Sequence, residues 1–164
     1  MTGLSRVIIH WTGGGWKASS LDLKHYQFVV EGDGTVVAGV HSPEDNIRTT
    51  DKIYGAHTLN LNAGSIGVAM AAMAGAKDRP FSWGSHPLTS LQVDATCRLA
   101  WDLCRRYRIP VTRQTVLTHA EVQPTLGIRQ RGKWDIRCLP GDRAVRDAVV
   151  VGDELRAQIK RMAA

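Results

Sequence analysis

The sequence predicts an α/β (α+β mixed) fold, in which a central mixed β-sheet is flanked by helices within a single domain. Short apolar segments bounded by turn residues dominate the first 70 positions, and a four-residue apolar spacing begins at residue 89. The 164 residues, of which 43% are hydrophobic and 22% charged, suffice for one hydrophobic core. No linker, repeat or low-complexity tract divides the chain, so we expect one domain over residues 1–164.

Four strands are predicted before residue 71. Residues 6–10 form a short apolar run, and residues 65–70 contain few polar side chains, which is typical of interior strands. Two further strands, at residues 26–30 and 35–40, are separated by the turn sequence EGDG at residues 31–34. That arrangement predicts a hairpin.

One long helix is predicted in the second half of the chain, at residues 89–108. Apolar side chains recur there at mostly four-residue steps, at Leu91, Ala95, Leu99, Leu103 and Tyr107. Pro110 ends this helix, and a short strand is expected at residues 116–117. A C-terminal helix is expected from about Asp142, with an interruption at Gly152.

The net charge of +6 favours an anionic partner but does not choose among cell wall, nucleic acid and membrane surface. Basic residues recur in the C-terminal stretch, at Arg143, Arg146, Arg156, Lys160 and Arg161. We favour packing of this stretch on the domain, and a weak contact with an anionic envelope surface is the alternative.

The N-terminus lacks the pattern of a secretory signal, so we expect synthesis in the cytoplasm without a signal peptide. No apolar run approaches the roughly 20 residues needed to span a bilayer. Three cysteines are an odd number, which argues against a disulfide framework. We expect a monomer.

Two histidines and one aspartate form a candidate metal site. His10 ends the first apolar strand, His119 follows the strand near residue 117, and Asp135 lies farther along the chain. Two imidazoles and a carboxylate are a familiar zinc set that leaves a fourth position for water. Lys133 supplies a nearby cation, and Tyr26 is a candidate to orient water or shuttle a proton. Taken singly, each residue has a structural alternative, such as a turn or cap role for Asp135.

Blocks of sequence in a fixed order resemble zinc N-acetylmuramoyl-L-alanine amidases. The blocks are IIHWT at residues 8–12, YQFVV with DGT at 26–35, AHT with SIGV at 56–68, and TH with KWD at 118–135. This type 2 amidase family includes phage lysozyme-type amidases and animal peptidoglycan recognition proteins. The resemblance covers residues 7–141, which is most of the chain.

The resemblance implies a zinc cleft on one face of the sheet. It also implies hydrolysis of the amide between the lactyl group of N-acetylmuramic acid and L-alanine in peptidoglycan. By position, one zinc ion would be bound by His10, His119 and Asp135, and Lys133 would stabilise the oxyanion. Tyr26 matches the catalytic tyrosine of the phage-type and recognition-protein members.

Three further residues are expected to contact substrate in this cleft: His57, Trp11 and Asn62. His57 lies where family members line the cleft, although a structural hydrogen bond in the sheet is equally favoured. Trp11 neighbours a ligand and is expected to pack on sugar rings or on the stem peptide, with a core role as the alternative.

The chain departs from the family pattern in two places. Cys138 is a rival to Asp135, because a thiolate is a good zinc ligand, but the spacing between Lys133 and Asp135 favours the carboxylate. Residues 121–132 form a long segment, which we expect to be a loop over the cleft that contributes to specificity, or else a passive insertion. Glu121 in this segment is expected to support a ligand or to lie on the surface.

The expected function is that of a phage or prophage endolysin that reaches the wall through a separate membrane lesion. Its partner would be peptidoglycan and not nucleic acid, and no separate cell-wall-binding domain is evident. A cytoplasmic muropeptide-recycling amidase is the nearest alternative, but that branch of the family carries a glutamate where this chain has Ala69. A non-catalytic peptidoglycan-binding module is the other alternative, against which the complete ligand set counts.

Overall fold

The computed structural model describes residues 3–164 and contains a five-stranded sheet. In chain order the strands are β1 (Arg6–Trp11), β2 (Phe28–Val30), β3 (Val36–Ala38), β4 (Ser65–Met70) and β5 (Val116–Thr118). Their spatial order is β3-β2-β4-β1-β5. Four strands run parallel, whereas β3 is antiparallel to β2, which confirms the predicted mixed sheet.

Helices flank this sheet. They are α1 (Ser20–His25), α2 (Ser90–Tyr107), α3 (His119–Leu126) and α4 (Ala148–Arg161), with a 3₁₀ helix at Pro43–Ile47. Helix α2 confirms the long helix predicted from apolar spacing. It begins with a capping box, because Thr89 and Gln92 each accept a hydrogen bond from the other's backbone amide.

Strand β1 separates the two faces of the sheet. Val7 and Ile9 point into the main core, to which α2 and α4 contribute. Ile8 packs on the opposite face with Leu117 and Val122. Because side chains alternate along a strand, His10 shares the face of Ile8. The strand therefore keeps this imidazole outside the main core.

The first half of the chain differs from the prediction at the hairpin. Tyr26 follows α1 and does not lie in a strand, since β2 begins only at Phe28. Strand β3 is shorter than residues 35–40. Helix α1 was not predicted, although Ser19 and Asp22 form a reciprocal capping box whose spacing is visible in the sequence.

The second half differs in its helices. Helix α4 starts at Ala148 and not near Asp142, because Asp147 caps it by accepting hydrogen bonds from two backbone amides. Gly152 does not interrupt this helix. It lies where a Cβ atom would overlap the carboxylate of Glu121 on α3, so the glycine is required for helix packing. Within residues 3–164, no helix is long and apolar enough to cross a membrane.

Candidate metal centre

Three segments bring His10, His119 and Asp135 to one edge of the sheet. His10 lies on β1, and His119 begins α3 directly after β5. Because β1 and β5 are parallel neighbours, their carboxyl ends meet at this edge. The carbonyl of Asp135 accepts a hydrogen bond from the amide of Ala120 at 2.6 Å, which holds the carboxylate there. All three side chains are buried.

The three candidate ligand atoms converge on one point. The Nδ1 atoms of His10 and His119 lie 3.1 Å apart, and each is 3.3 Å from Oδ2 of Asp135. Among the described residues these three form a group able to hold a metal ion. Imidazole nitrogens and carboxylate oxygens are donors that zinc accepts. The geometry thus brings together all three predicted ligands.

Hydrogen bonds on the far side of each imidazole determine which nitrogen faces the centre. His119 Nε2 donates to the amide oxygen of Gln130 at 2.8 Å. His57 Nε2 lies 3.3 Å from the carbonyl of Ser65, which only accepts, so His57 Nδ1 is an acceptor. This nitrogen lies 2.8 Å from the hydroxyl of Thr58 and 3.2 Å from His10 Nε2, and a proton on His10 Nε2 completes the hydrogen bonds among the three groups. Both ligand imidazoles therefore present the lone pair of Nδ1 to the centre.

Burial keeps the first of these imidazoles uncharged. Desolvation lowers the pKa of His10 to about 4, so the ring is neutral at pH 7. Two nitrogen lone pairs and a carboxylate that converge in a buried place repel one another unless a cation lies between them. The donor set and its surroundings therefore fit a divalent metal ion.

His57 supports His10 from behind and also lines the cleft. Gly67 on β4 provides the space, because a Cβ atom there would lie 2.6 Å from the imidazole ring of His57. Burial lowers the pKa of His57 well below its usual value, so this ring is also neutral. Since both ring nitrogens have partners within the protein, contact of His57 with substrate stays a prediction.

Asn62 organises the turn that follows His57. Its Oδ1 accepts hydrogen bonds from the backbone amides of His57 and Thr58, at 2.9 and 2.8 Å. The hydroxyl of Thr58 lies 3.4 Å from His10 Nε2, so this turn also supports a metal ligand. Asn62 lines the cleft, and its contact with substrate stays a prediction.

Tyr26 lies beside the metal ligands. The centroid of its ring is 5.1 Å from that of His10. Burial raises the pKa of Tyr26, so its hydroxyl stays protonated at neutral pH. The side chain is therefore suited to donate a hydrogen bond in the cleft.

Lys133 and Trp11 also line the cleft. Lys133 is exposed, and its positive charge adds to the dominant effect of burial in lowering the pKa of His10. Trp11 is only 8% exposed and packs edge-to-face on Trp134, with ring centroids 4.6 Å apart. Trp11 is thus mainly a core side chain, and only its edge is available to substrate.

The cleft around the centre is open and has a volume of about 950 Å³, within the usual range for ligand sites. Its walls contain both predicted catalytic residues and all three predicted substrate-binding residues. The walls also contain side chains that were not predicted individually, among them Tyr54, Leu59, Gln130 and Arg131, of which the last two belong to the segment expected over the cleft.

Two alternatives from the sequence are wrong. Cys138 is fully buried in the main core and is not part of the group that could hold a metal ion, so it is no rival to Asp135. Glu121 does not lie on the surface: its carboxylate is buried, pairs with Arg156 at 2.8 Å and accepts the amide hydrogen of Thr118.

The long segment after His119 is only partly a loop. Residues 119–126 form α3, and only the remainder, up to residue 132, is irregular. Gln130 in this remainder contacts His119 directly, yet nothing in the sequence distinguishes it from its neighbours. Its role depends on where the chain returns after α3.

Solved structures share this fold. LysC, an amidase from Clostridium intestinale, has a TM-score of 0.54 and 16% identity over 98% of this chain and 89% of its own. The Ph2119 endolysin of a Thermus scotoductus bacteriophage has a TM-score of 0.52 and 16% identity over 81% of each chain. E. coli AmiD, in complex with the substrate anhydro-N-acetylmuramic acid-L-Ala-D-γ-Glu-L-Lys, has a TM-score of 0.52 and 20% identity over 72% of this chain and 49% of its own.

At these identities the structural likeness establishes the fold alone. No curated protein sequence gives a match. The family described as N-acetylmuramoyl-L-alanine amidase matches residues 2–141, which include all three candidate ligands and Lys133. The chain therefore belongs to the N-acetylmuramoyl-L-alanine amidase family of enzymes.

Proposed function

We propose that this amidase uses one zinc ion to hydrolyse the amide bond between N-acetylmuramic acid and L-alanine of peptidoglycan. The observation that carries the zinc proposal is the convergence of His10, His119 and Asp135 in a buried position at the edge of an open cleft. When bound there, zinc would act as a Lewis acid that polarises a carbonyl group and lowers the pKa of water toward neutral pH.

The chain's own side chains supply the remaining requirements of amide hydrolysis. The protonated hydroxyl of Tyr26 donates a hydrogen bond beside the ligands, and so orients water or the reacting carbonyl. The ammonium group of Lys133 stabilises the negative charge that develops on the carbonyl oxygen. Arg131 on the same wall adds a second cation, which suits the carboxylates of a stem peptide.

We further propose that the chain is a phage or prophage endolysin that acts on the wall after passing a membrane lesion. The Ph2119 endolysin shares this fold over 81% of each chain, so the fold is one that an endolysin uses. Ala69 is buried in β4. It stands where the muropeptide-recycling branch of the family carries a glutamate, which disfavours that alternative. A binding module without catalysis would not require the complete ligand set.

The test is digestion of purified peptidoglycan by the metal-depleted and zinc-loaded protein, with the products identified by mass spectrometry. We expect free stem peptides that begin with L-alanine, only when zinc is present. Intact muropeptides despite bound zinc would contradict the proposed reaction. To separate the two biological roles, the same assay compares intact sacculi with soluble anhydro-muropeptides, and preference for the soluble substrate would favour recycling.

A further inference from the structure

Gln130 contacts a metal ligand and the opposite wall of the cleft with the same side chain. Its Oε1 lies 2.8 Å from His119 Nε2, and its Nε2 donates to the carbonyl of Leu59 at 2.9 Å. The residue is 3% exposed. Its backbone amide donates to the side chain of Gln123 on α3 at 3.0 Å, which anchors the segment.

These contacts leave the amide of Gln130 a single orientation. The carbonyl of Leu59 can only accept, so the NH₂ group must face it and the amide oxygen must face His119. The oxygen in turn requires a proton on His119 Nε2. The other ring nitrogen, Nδ1, is thereby left with a lone pair that faces the metal centre.

Leu59 belongs to the turn that supports the other imidazole ligand. This turn carries His57 and Thr58, both of which lie within hydrogen-bond distance of His10 Nε2. The side-chain amide of Gln130 therefore connects His119 to the backbone that carries the partners of His10.

We infer that Gln130 is a positioning residue for the metal centre: its oxygen selects the metal-binding tautomer of His119, and its NH₂ group holds the 57–62 turn behind His10. The inference rests on the proposed zinc function and assigns two separate tasks to the two ends of one side chain. Partners of this kind typically change metal affinity by about 10- to 100-fold when they are removed.

Two substitutions separate these tasks. Gln130→Met keeps the length of the side chain but removes both hydrogen bonds, so we expect zinc affinity to fall by about 10- to 100-fold in chelator competition. Gln130→Glu keeps an acceptor for His119 but loses the donor to Leu59. We expect it to bind zinc more tightly than Gln130→Met does, because His119 keeps its acceptor, while the amides of residues 57–62 exchange hydrogen faster than in the wild type.

Arg129→Ala is the matched control, because it changes the neighbouring exposed residue of the same segment, which neither contacts a ligand nor lines the cleft. We expect its zinc affinity to stay at the wild-type value. Unchanged affinity in Gln130→Met, or an equal loss in Arg129→Ala, would overturn the inference, as would unchanged exchange in Gln130→Glu. Failure of the wild-type protein to bind zinc would instead contradict the proposed function.

Discussion

Each of the two candidate ligand imidazoles, His10 and His119, is oriented by a hydrogen bond to a neighbouring side chain. His10 is held by His57, whose ring fits only because residue 67 is glycine. His119 is held by the amide of Gln130. The orientation of the candidate ligands is therefore decided by residues outside the candidate metal-binding group.

Lys133 is expected to act on the reaction and not on metal binding. Lys133→Ala should lower kcat by about 100-fold, the effect of losing one donor to the oxyanion, while zinc content stays at one ion. Turnover of purified peptidoglycan and metal analysis of the same sample check this result. Arg129→Ala is the control, since Arg129 is exposed in the same segment but does not line the cleft. Near-normal turnover of Lys133→Ala would remove the proposed role.

A pair of variants tests the assignment of Asp135 as the third metal ligand. Asp135→Ala should lose zinc, because the buried carboxylate lies 3.3 Å from both ligand nitrogens. Cys138→Ser should keep zinc and lose only stability, because its side chain lies in the main core. Metal content after dialysis distinguishes them, and the opposite pattern would move the third ligand to Cys138.

At the level of elements, α4 is joined to the metal edge by a buried ion pair. Arg156 on α4 donates two hydrogen bonds to the carboxylate of Glu121, at 3.1 and 2.8 Å, and a third to the carbonyl of Val116. Glu121 in turn accepts the amide hydrogen of Thr118, beside His119. Helix α4 lies beyond the part of the chain that the family match covers, yet it supports the helix that presents a ligand.

Breaking this ion pair should be costly. Arg156→Met leaves the carboxylate of Glu121 buried without its partner, and we expect a loss of about 3–5 kcal/mol in the free energy of unfolding. Urea denaturation measures the loss. In the double variant with Glu121→Met, much of the stability should return, because no uncompensated charge remains. A loss below about 1 kcal/mol in the single variant would show that water reaches Glu121.

Two of the five basic residues in the C-terminal stretch form ion pairs within the domain. Arg156 is buried, and Arg146 pairs with Asp142 and Glu154. These contacts agree with the expectation that the stretch packs on the domain. Weak contact of the remaining charges with an anionic envelope stays a prediction.

At the scale of the whole molecule, the parallel strands of the sheet bring the candidate ligands to one edge. Strands β1 and β5 end side by side, and α3 begins directly after β5. His119, the first residue of α3, therefore lies next to His10 near the end of β1. The opposite face of β1 is covered by the main core. A rigid, buried strand thus carries one ligand, while the cleft remains open to a large substrate.

The metal-free protein should lose stability as pH falls. Burial lowers the pKa of His10 from 6.5 to about 4 and lowers that of His57 as well, so the unfolded chain takes up protons that the folded chain resists. The contribution of these groups is fully present above pH 6.5 and is lost as pH falls through the lowered values. Urea denaturation between pH 7 and 4 checks this, and a flat profile would contradict it.

The sequence by itself determined the family, the three candidate ligands that the structure brings together, the mixed sheet and α2. These features depend on local periodicity and on the identity of side chains at fixed spacings, which a linear pattern contains. The sites of Lys133 and Tyr26 beside the ligands were also predicted, although Tyr26 was assigned to a strand and instead follows α1.

Only the tertiary structure decided the exclusion of Cys138, the pairing of Glu121 with Arg156, and the contact of Gln130 with His119. Each depends on which residues from distant parts of the chain meet in a buried place. A cysteine, a glutamate or a glutamine at such positions can serve several structural or functional roles, and burial with a specific partner selects one of them.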